Sequence, residues 1–281
     1  MSWHVRSRLL AVLLCVQPFA VVAQSNLSFE GHFIQGGLVV GQTLPGSEVK
    51  HGDRKIHVSD TGVFVLGFGR DAPKNDSLSV QLPNGENIQH PLEVRQQTYK
   101  TTRIDGLPKR KVTPKKEDLK RIRSDNAKIG KVRRLDTGLT DFLSGFVWPV
   151  KGRISGIFGS QRILNGKPRR PHNGMDIAAP QGTPVLATSD GVVQLVHEDM
   201  FYSGKTVMID HGHGVTSVYI HMNKITVKQG SRVRQGDQIG TVGMTGRATG
   251  PHLHWGINLF KMPLDPKLIV AGEKKLTRTD R

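Results

Sequence analysis

The chain has 281 residues, 40 Lys or Arg against 23 Asp or Glu, a formal net charge of +17 and 36% hydrophobic residues, which is enough length and apolar content for about two domains with ordinary cores. Its one cysteine, Cys15, excludes a disulfide framework and a sulfur-ligated metal site. Charge alone would suit nucleic acid, but the chain has no recognised nucleic-acid motif and its most basic stretch has no interleaved aromatics, so nucleic acid is not an expected partner.

Residues 1–23 carry Arg6 and Arg8, the apolar run Leu9 to Val16, and the small-residue end Val21-Val22-Ala23. The pattern predicts a secretory signal peptide cleaved after Ala23, because the run is too short to span a bilayer as a helix. Cys15 would leave with it. No later segment is long and apolar enough to be transmembrane, so the expectation is an exported protein, periplasmic or secreted and associated with the cell envelope.

Residues 24–99 show short pieces of strand character, among them Leu38-Val39-Val40, Val63-Phe64-Val65-Leu66 and Leu78-Ser79-Val80, divided by Gly, Pro, Asn and Asp. They predict a small antiparallel β-domain of immunoglobulin-like sandwich form. It has no chemical motif, and His32, His51, His57 and His90 are irregularly spaced and read as structural. Residues 100–145 form a basic helical linker. Between 100 and 134 there are fourteen Lys or Arg against four acids. Thr113-Pro114 reads as a helix start, and Leu119, Ile122, Ile129 and Val132 recur at helical spacing, which predicts a helix over 114–134 with a docked apolar stripe and a wet basic face. Residues 146–270, with β-branched runs between glycine turns, predict a mostly antiparallel sheet domain, and residues 271–281 a basic tail. The fold class expected is mainly β.

Candidate chemistry lies in three stretches of the last third: H-N-G-M-D at 172–176, Y-I-H at 219–221 and H-L-H-W at 252–255. His252 and His254 are two apart in a strand-like segment, so their side chains leave the same face, roughly 6 to 7 Å apart. One imidazole can then serve a metal and the other a reacting proton. His172 and Asp176 fall in a loop entering a short strand. Two neutral imidazoles and one carboxylate make a three-ligand set that leaves a fourth zinc position open, whereas a structural site would want a fourth protein ligand. In the alternating run Val215 to His221, Tyr219 and His221 are expected to share a face, and His221 is given the proton role. His211 and His213 also have i, i+2 spacing, but their Gly-flanked setting reads as a hairpin turn. His197, beside two acids, reads as a solvated loop.

The wording G-M-T-G-R-A-T-G-P-H-L-H-W at 243–255 resembles the signature of the lysostaphin/LytM-type zinc endopeptidases of bacterial cell walls. Phe158-Gly159 with Arg162, the Y-x-H strand, and V-x-x-G-D-Q-I-G at 233–240 fall in the same order, so the resemblance covers about residues 146–266. It implies one zinc ion per chain bound by His172, Asp176 and His254, with His221 and His252 as the catalytic pair. One of the pair would take the water proton and the other would help stabilise the tetrahedral oxyanion. Arg162 is expected to contact a substrate carboxylate or to stay at the surface. Peptidoglycan is the implied substrate, and anionic cell-envelope polymers are the partners expected for the basic linker. Two rival readings are a non-catalytic envelope module that binds peptidoglycan or activates an amidase, and a biotinyl- or lipoyl-type carrier. The first should lack at least one of the five site residues, and the second should show a modified lysine at a hairpin tip. Neither mark is present.

Overall fold

The computed structural model describes residues 26–271, so the expected signal peptide with Cys15 and nearly all of the basic tail lie outside the described residues. The described part is mainly β, as expected. Two antiparallel sheets form the N-terminal part. One has the strands Leu27–Gly31, Leu38–Thr43 and Val63–Gly67 in that order, and the other runs Arg54–Ile56, Glu48–His51, Asn75–Gln81, Asn87–Glu93. Val39, Val49, Phe64, Leu66, Leu78, Val80 and Leu92 fill the space between them.

The strand Val63–Gly67 is buried along its whole length. Phe64 and Leu66 point into the N-terminal core, while Val63 and Val65, on the opposite face, join the core of the C-terminal sheet beside Phe142, Phe146 and Leu259. A strand covered on both faces has no polar side, which is why this segment is an unbroken apolar run rather than an alternating one.

The segment 100–145 contains more than helix. Its strand Thr101–Ile104 pairs parallel with Gln161–Leu164 and so joins the small sheet of the C-terminal part. The helix expected over 114–134 is shorter: a single turn at Lys109–Val112 precedes the helix Asp118–Val132. The reason is the buried Asp118 carboxylate, which accepts the Lys115 N–H at 3.0 Å and the Arg110 Nε–H at 2.8 Å and so fixes a turn just before the first helical residue. The docked stripe is also shorter than expected. Ile129 and Val132 pack on Leu195, Met200 and Met208, but Leu119 is 39% exposed. Lys115, Lys116, Lys120, Arg121 and Arg123 are exposed.

The C-terminal part is built on an eight-stranded antiparallel sheet. Its order is Arg232–Val233, Gly191–Met200, Gly204–Gly212, Val215–Met222, His252–Leu259, Met175–Ala178, Arg153–Gly156, with Met262–Leu264 added beside His252–Leu259. Leu253, Trp255, Ile257, Tyr219 and Ile177 enter the core from one face. The other face of the three central strands carries the residues of the site.

Candidate metal centre and active site

Strand register sets the site. Asp176 is opposite His254, Ala178 opposite His252, and Ile220 opposite His254, and directly opposed residues of an antiparallel pair present their side chains on one face. Asp176, His252 and His254 therefore share a face, while Leu253 and Trp255 between and beyond the histidines go to the core. His172 is in the loop before the strand Met175–Ala178 and is fixed by main-chain bonds to Gly159 and Ser160, each 2.9 Å.

Tyr219 and His221 do not share a face, which corrects the sequence expectation. Tyr219 is fully buried, and its hydroxyl accepts the Thr188 N–H at 2.8 Å and meets Ser217 Oγ at 3.1 Å. His221 has a left-handed backbone, φ 64°, where the pairing with the strand Gly204–Gly212 is irregular. The break in alternation turns its imidazole back to the site, with its ring centre 4.8 Å from that of His252 and 6.3 Å from that of His254. The conformation is held by His221 N–H to Ser203 O, 2.8 Å, and by His221 Nδ1–H to Thr245 O, 2.7 Å.

Three donor atoms converge. His172 Nε2 and His254 Nδ1 are 2.8 Å apart, His254 Nδ1 and Asp176 Oδ1 are 2.7 Å apart, and His172 Nε2 and Asp176 Oδ1 are 3.1 Å apart. His172 gives its Nδ1–H to Ile157 O at 3.0 Å, so its Nε2 lone pair faces inward. Three such atoms repel one another unless a proton or cation lies among them. The set of two imidazoles and one carboxylate fits a divalent metal ion with room for a further, non-protein ligand.

Around this set, electrostatics favour metal-ready protonation states. Burial alone would raise the Asp176 carboxyl, but the adjoining His172 and His254 imidazoles outweigh it and hold the group well below the usual carboxylate range. Burial pushes His254 down to about 4 against the opposing pull of Asp176, so the ring is neutral near pH 7. His252 gives its Nδ1–H to Gly250 O at 2.9 Å and brings Nε2 to 3.9 Å from Asp176 Oδ1. Burial, then the neighbouring His252 and His254, push His221 down to about 3.

Of the supporting residues, Arg162 was a sequence candidate, whereas Gly156, Gly174 and Thr245 had no individual role read from the sequence. Arg162, on the strand Gln161–Leu164, donates through Nη2 to Asp176 Oδ2, and its side chain is only 18% exposed. It reaches into the site rather than lying at the surface. A Cβ on Gly156 would come 2.4 Å from Asp176 Oδ2, and one on Gly174 would come 2.4 Å from Trp255 O and 3.0 Å from His254 Nε2. Both glycines permit a close approach that any side chain would block. Thr245 links two strands: its hydroxyl accepts the Lys205 N–H and donates to Met222 O, both at 2.9 Å. Among the described residues, the remaining histidines lie elsewhere. His211 is buried and bonded to Asp190 O and Ser217 Oγ, His213 stacks on His57 at the hairpin turn, and His197 meets Lys128.

The model of peptidase family M23 matches residues 170–266. A crystal structure described as a putative peptidase M23 from Pseudomonas aeruginosa aligns with 85% of this chain and 95% of its own, at 32% identity and a TM-score of 0.65. The chain belongs to peptidase family M23. This M23 member is also 42% identical over 132 residues to the DD-carboxypeptidase/endopeptidase Mpg of Neisseria meningitidis serogroup B, a match that covers 47% of this chain and 30% of the relative. It is 43% identical over 121 residues to the peptidoglycan DD-endopeptidase ShyA of Vibrio cholerae, covering 42% of this chain and 28% of that protein. The chain thus spans less than a third of the length of these curated relatives. Asp176 and the whole H-L-H-W strand fall within the family match, and M23 being a metallopeptidase family agrees with the donor set.

Proposed function

We propose that the chain is an exported zinc-dependent endopeptidase that hydrolyses peptide bonds in peptidoglycan stems or cross-links. The observation that carries this reading is the convergence of His172 Nε2, Asp176 Oδ1 and His254 Nδ1 within 3.1 Å of one another, with His221 and His252 on the same side. The names of the relatives, which specify DD-endopeptidase activity and peptidoglycan, support the substrate. That substrate lies in the cell envelope, which agrees with the signal peptide read from residues 1–23.

His172, Asp176 and His254 would hold the ion. When bound, zinc supplies Lewis acidity toward the scissile carbonyl and lowers the pKa of a coordinated water toward about 7. Arg162 balances the second oxygen of Asp176 and fixes the carboxylate plane. His221 and His252 both give their Nδ1–H to main-chain carbonyls, which leaves Nε2 as the nitrogen of each ring free for proton work. His252 takes the proton of the attacking water and, once protonated, returns it to the departing amine nitrogen. His221, kept neutral by burial, orients the water or the amine through an accepted hydrogen bond. Ile157, whose carbonyl holds His172, and Met244, next to the Thr245 that holds His221, are 46% and 49% exposed and offer apolar contact to a peptide. The exposed lysines and arginines of the helix Asp118–Val132 and the turn before it add attraction to anionic envelope polymers.

Incubation of the zinc-loaded protein with defined muropeptides, with products identified by mass, tests the proposal. Cleavage of one stem or cross-link amide is expected. A folded, zinc-loaded protein that binds peptidoglycan without cleaving it would favour the non-catalytic module instead.

A further inference from the structure

Next to the metal centre stand three arginines with one carboxylate among them. Arg162 and Arg169 are register partners across the hairpin of Gln161–Leu164 and Lys167–Arg169, which puts their side chains on one face. Arg162 uses Nη2 on Asp176, and its Nε is buried with no partner. Arg169 gives Nη2 to Val112 O at 2.9 Å, and Arg247 gives Nη1 to the adjacent carbonyl, Lys111 O, at 3.5 Å. Two guanidiniums are thereby gathered at one turn of backbone. Arg247 also lies over the Tyr202 ring, 4.7 Å from its centre. Burial lowers its pKa against the opposing pull of the Tyr202 hydroxyl, and the like charges of Arg162 and Arg169 lower it further; no carboxylate acts on it. Among the described residues, neither Arg169 nor Arg247 has an ion pair.

Like charges on facing residues of a strand pair are destabilising, and a half-buried guanidinium without an anion is more so. Carbonyl bonds use only part of the five donors each guanidinium carries, which leaves fork geometry suited to a carboxylate. The cluster is also well placed. At one end Arg162 touches Asp176, and at the other Arg247 follows Thr245, the residue whose carbonyl holds His221, by two positions.

We propose that Arg247 and Arg169 form a carboxylate subsite that recognises a free carboxylate on the carbon bearing the scissile amide nitrogen. This rests on the reading of the centre as a peptidoglycan endopeptidase, and it narrows the substrate class. In a bond between two D-configured residues, the nitrogen sits on a stereocentre that also bears a carboxyl group. A nitrogen on a glycine bridge or on a lysine side chain is carried by a methylene with no stereocentre. The subsite therefore favours cross-links through a diamino diacid over bridged or lysine-linked ones.

The test uses two ligands with the zinc-loaded protein: a stem tripeptide ending in a diamino diacid with its D-centre carboxylate free, and the same peptide with that group as a carboxamide. Affinity is measured by calorimetry, and cleavage by mass on cross-linked dimers of both kinds. The free carboxylate should bind at least about tenfold tighter, as expected for a charge-assisted bidentate contact. Arg247→Gln should bring the ratio to within about threefold of one, and Arg247→Lys should keep part of it. Arg169→Gln serves as the second variant, and circular dichroism checks folding. Equal affinity of the unaltered protein for the two peptides would overturn the subsite, as would a preference that survives both Gln variants. A preference that depends on Arg247 without any cleavage would uphold the subsite and sink the hydrolytic reading instead.

Discussion

Arg162 holds the oxygen of Asp176 that faces away from the histidines: its Nη2 bonds Oδ2, while His172 and His254 lie 3.1 and 2.7 Å from Oδ1. One carboxylate is thus shared between a fixed cation on one side and two imidazoles on the other. Removing the guanidinium frees the carboxylate to rotate and leaves its charge less balanced. Arg162→Gln is expected to weaken zinc affinity about 10- to 100-fold, the usual cost of losing such a support, measured by competition with a chromogenic chelator. Unchanged affinity would remove Arg162 from the metal's supporting residues.

Gly156 makes a sharper steric prediction. An added Cβ would lie 2.4 Å from Asp176 Oδ2 and 3.0 Å from its carboxyl carbon, so the ligand itself must move. Gly156→Ala should lose most bound zinc and most activity while circular dichroism stays that of a folded β protein. Normal zinc content by atomic absorption would show that the carboxylate has more room than the structure gives it.

The buried histidines set an acid dependence for the metal-free protein. His211, His213 and His254 are pushed down to about 4 by burial, and His221 to about 3. Unfolded, each binds a proton near pH 6.5. Between those limits the unfolded chain holds more protons than the folded one, so stability falls as pH falls. Asp176, held low, acts in the same direction at lower pH. The melting temperature should be flat from pH 8 to about 6.5 and fall steadily from there to about 4. A flat profile down to pH 4.5 would contradict the burial of these rings.

Reversing the charge of Lys115, Lys116, Lys120, Arg121 and Arg123, all exposed, should weaken adhesion to whole cell walls at low salt and leave cleavage of a small soluble muropeptide nearly unchanged. Exposed attraction of this kind is screened over about 8 Å at physiological ionic strength. Sedimentation with walls across a salt series checks it, and salt-independent binding by the unaltered protein would refute the electrostatic account.

The sequence was informative where one period governs a segment. His252 and His254 alternate with core residues Leu253 and Trp255, and the structure keeps that alternation. It was misleading where a local break resets the period. The left-handed backbone at His221 separates it from Tyr219, and a β-bulge beside a non-glycine residue leaves no mark in a hydrophobic pattern. The run Val63 to Leu66 looked like an ordinary strand because packing on both faces shows only in three dimensions. Helix start at Asp118 depends on a side chain satisfying the backbone before it, a signal weaker than Thr113-Pro114. Arg169 stands in no quoted motif, and Arg247 stands in the stretch 243–255 without a role read from it; they meet because the hairpin and the loop after Gly243 converge on residues 111 and 112.

The division of labour between His252 and His254 is the centre of the account, since one strand face supplies both. His254 Nδ1 lies 2.7 Å from Asp176 Oδ1, whereas His252 Nε2 stands 3.9 Å away. The most direct measurement is zinc content and muropeptide cleavage on purified His252→Ala and His254→Ala proteins, each confirmed as folded, with His221→Ala beside them. His254→Ala should lose zinc and activity together. His252→Ala and His221→Ala should keep zinc, and His252→Ala should lose turnover by roughly two to four orders of magnitude, the range for a general acid or base. A folded His254→Ala protein with full zinc, beside a His252→Ala protein with none, would contradict the assignment.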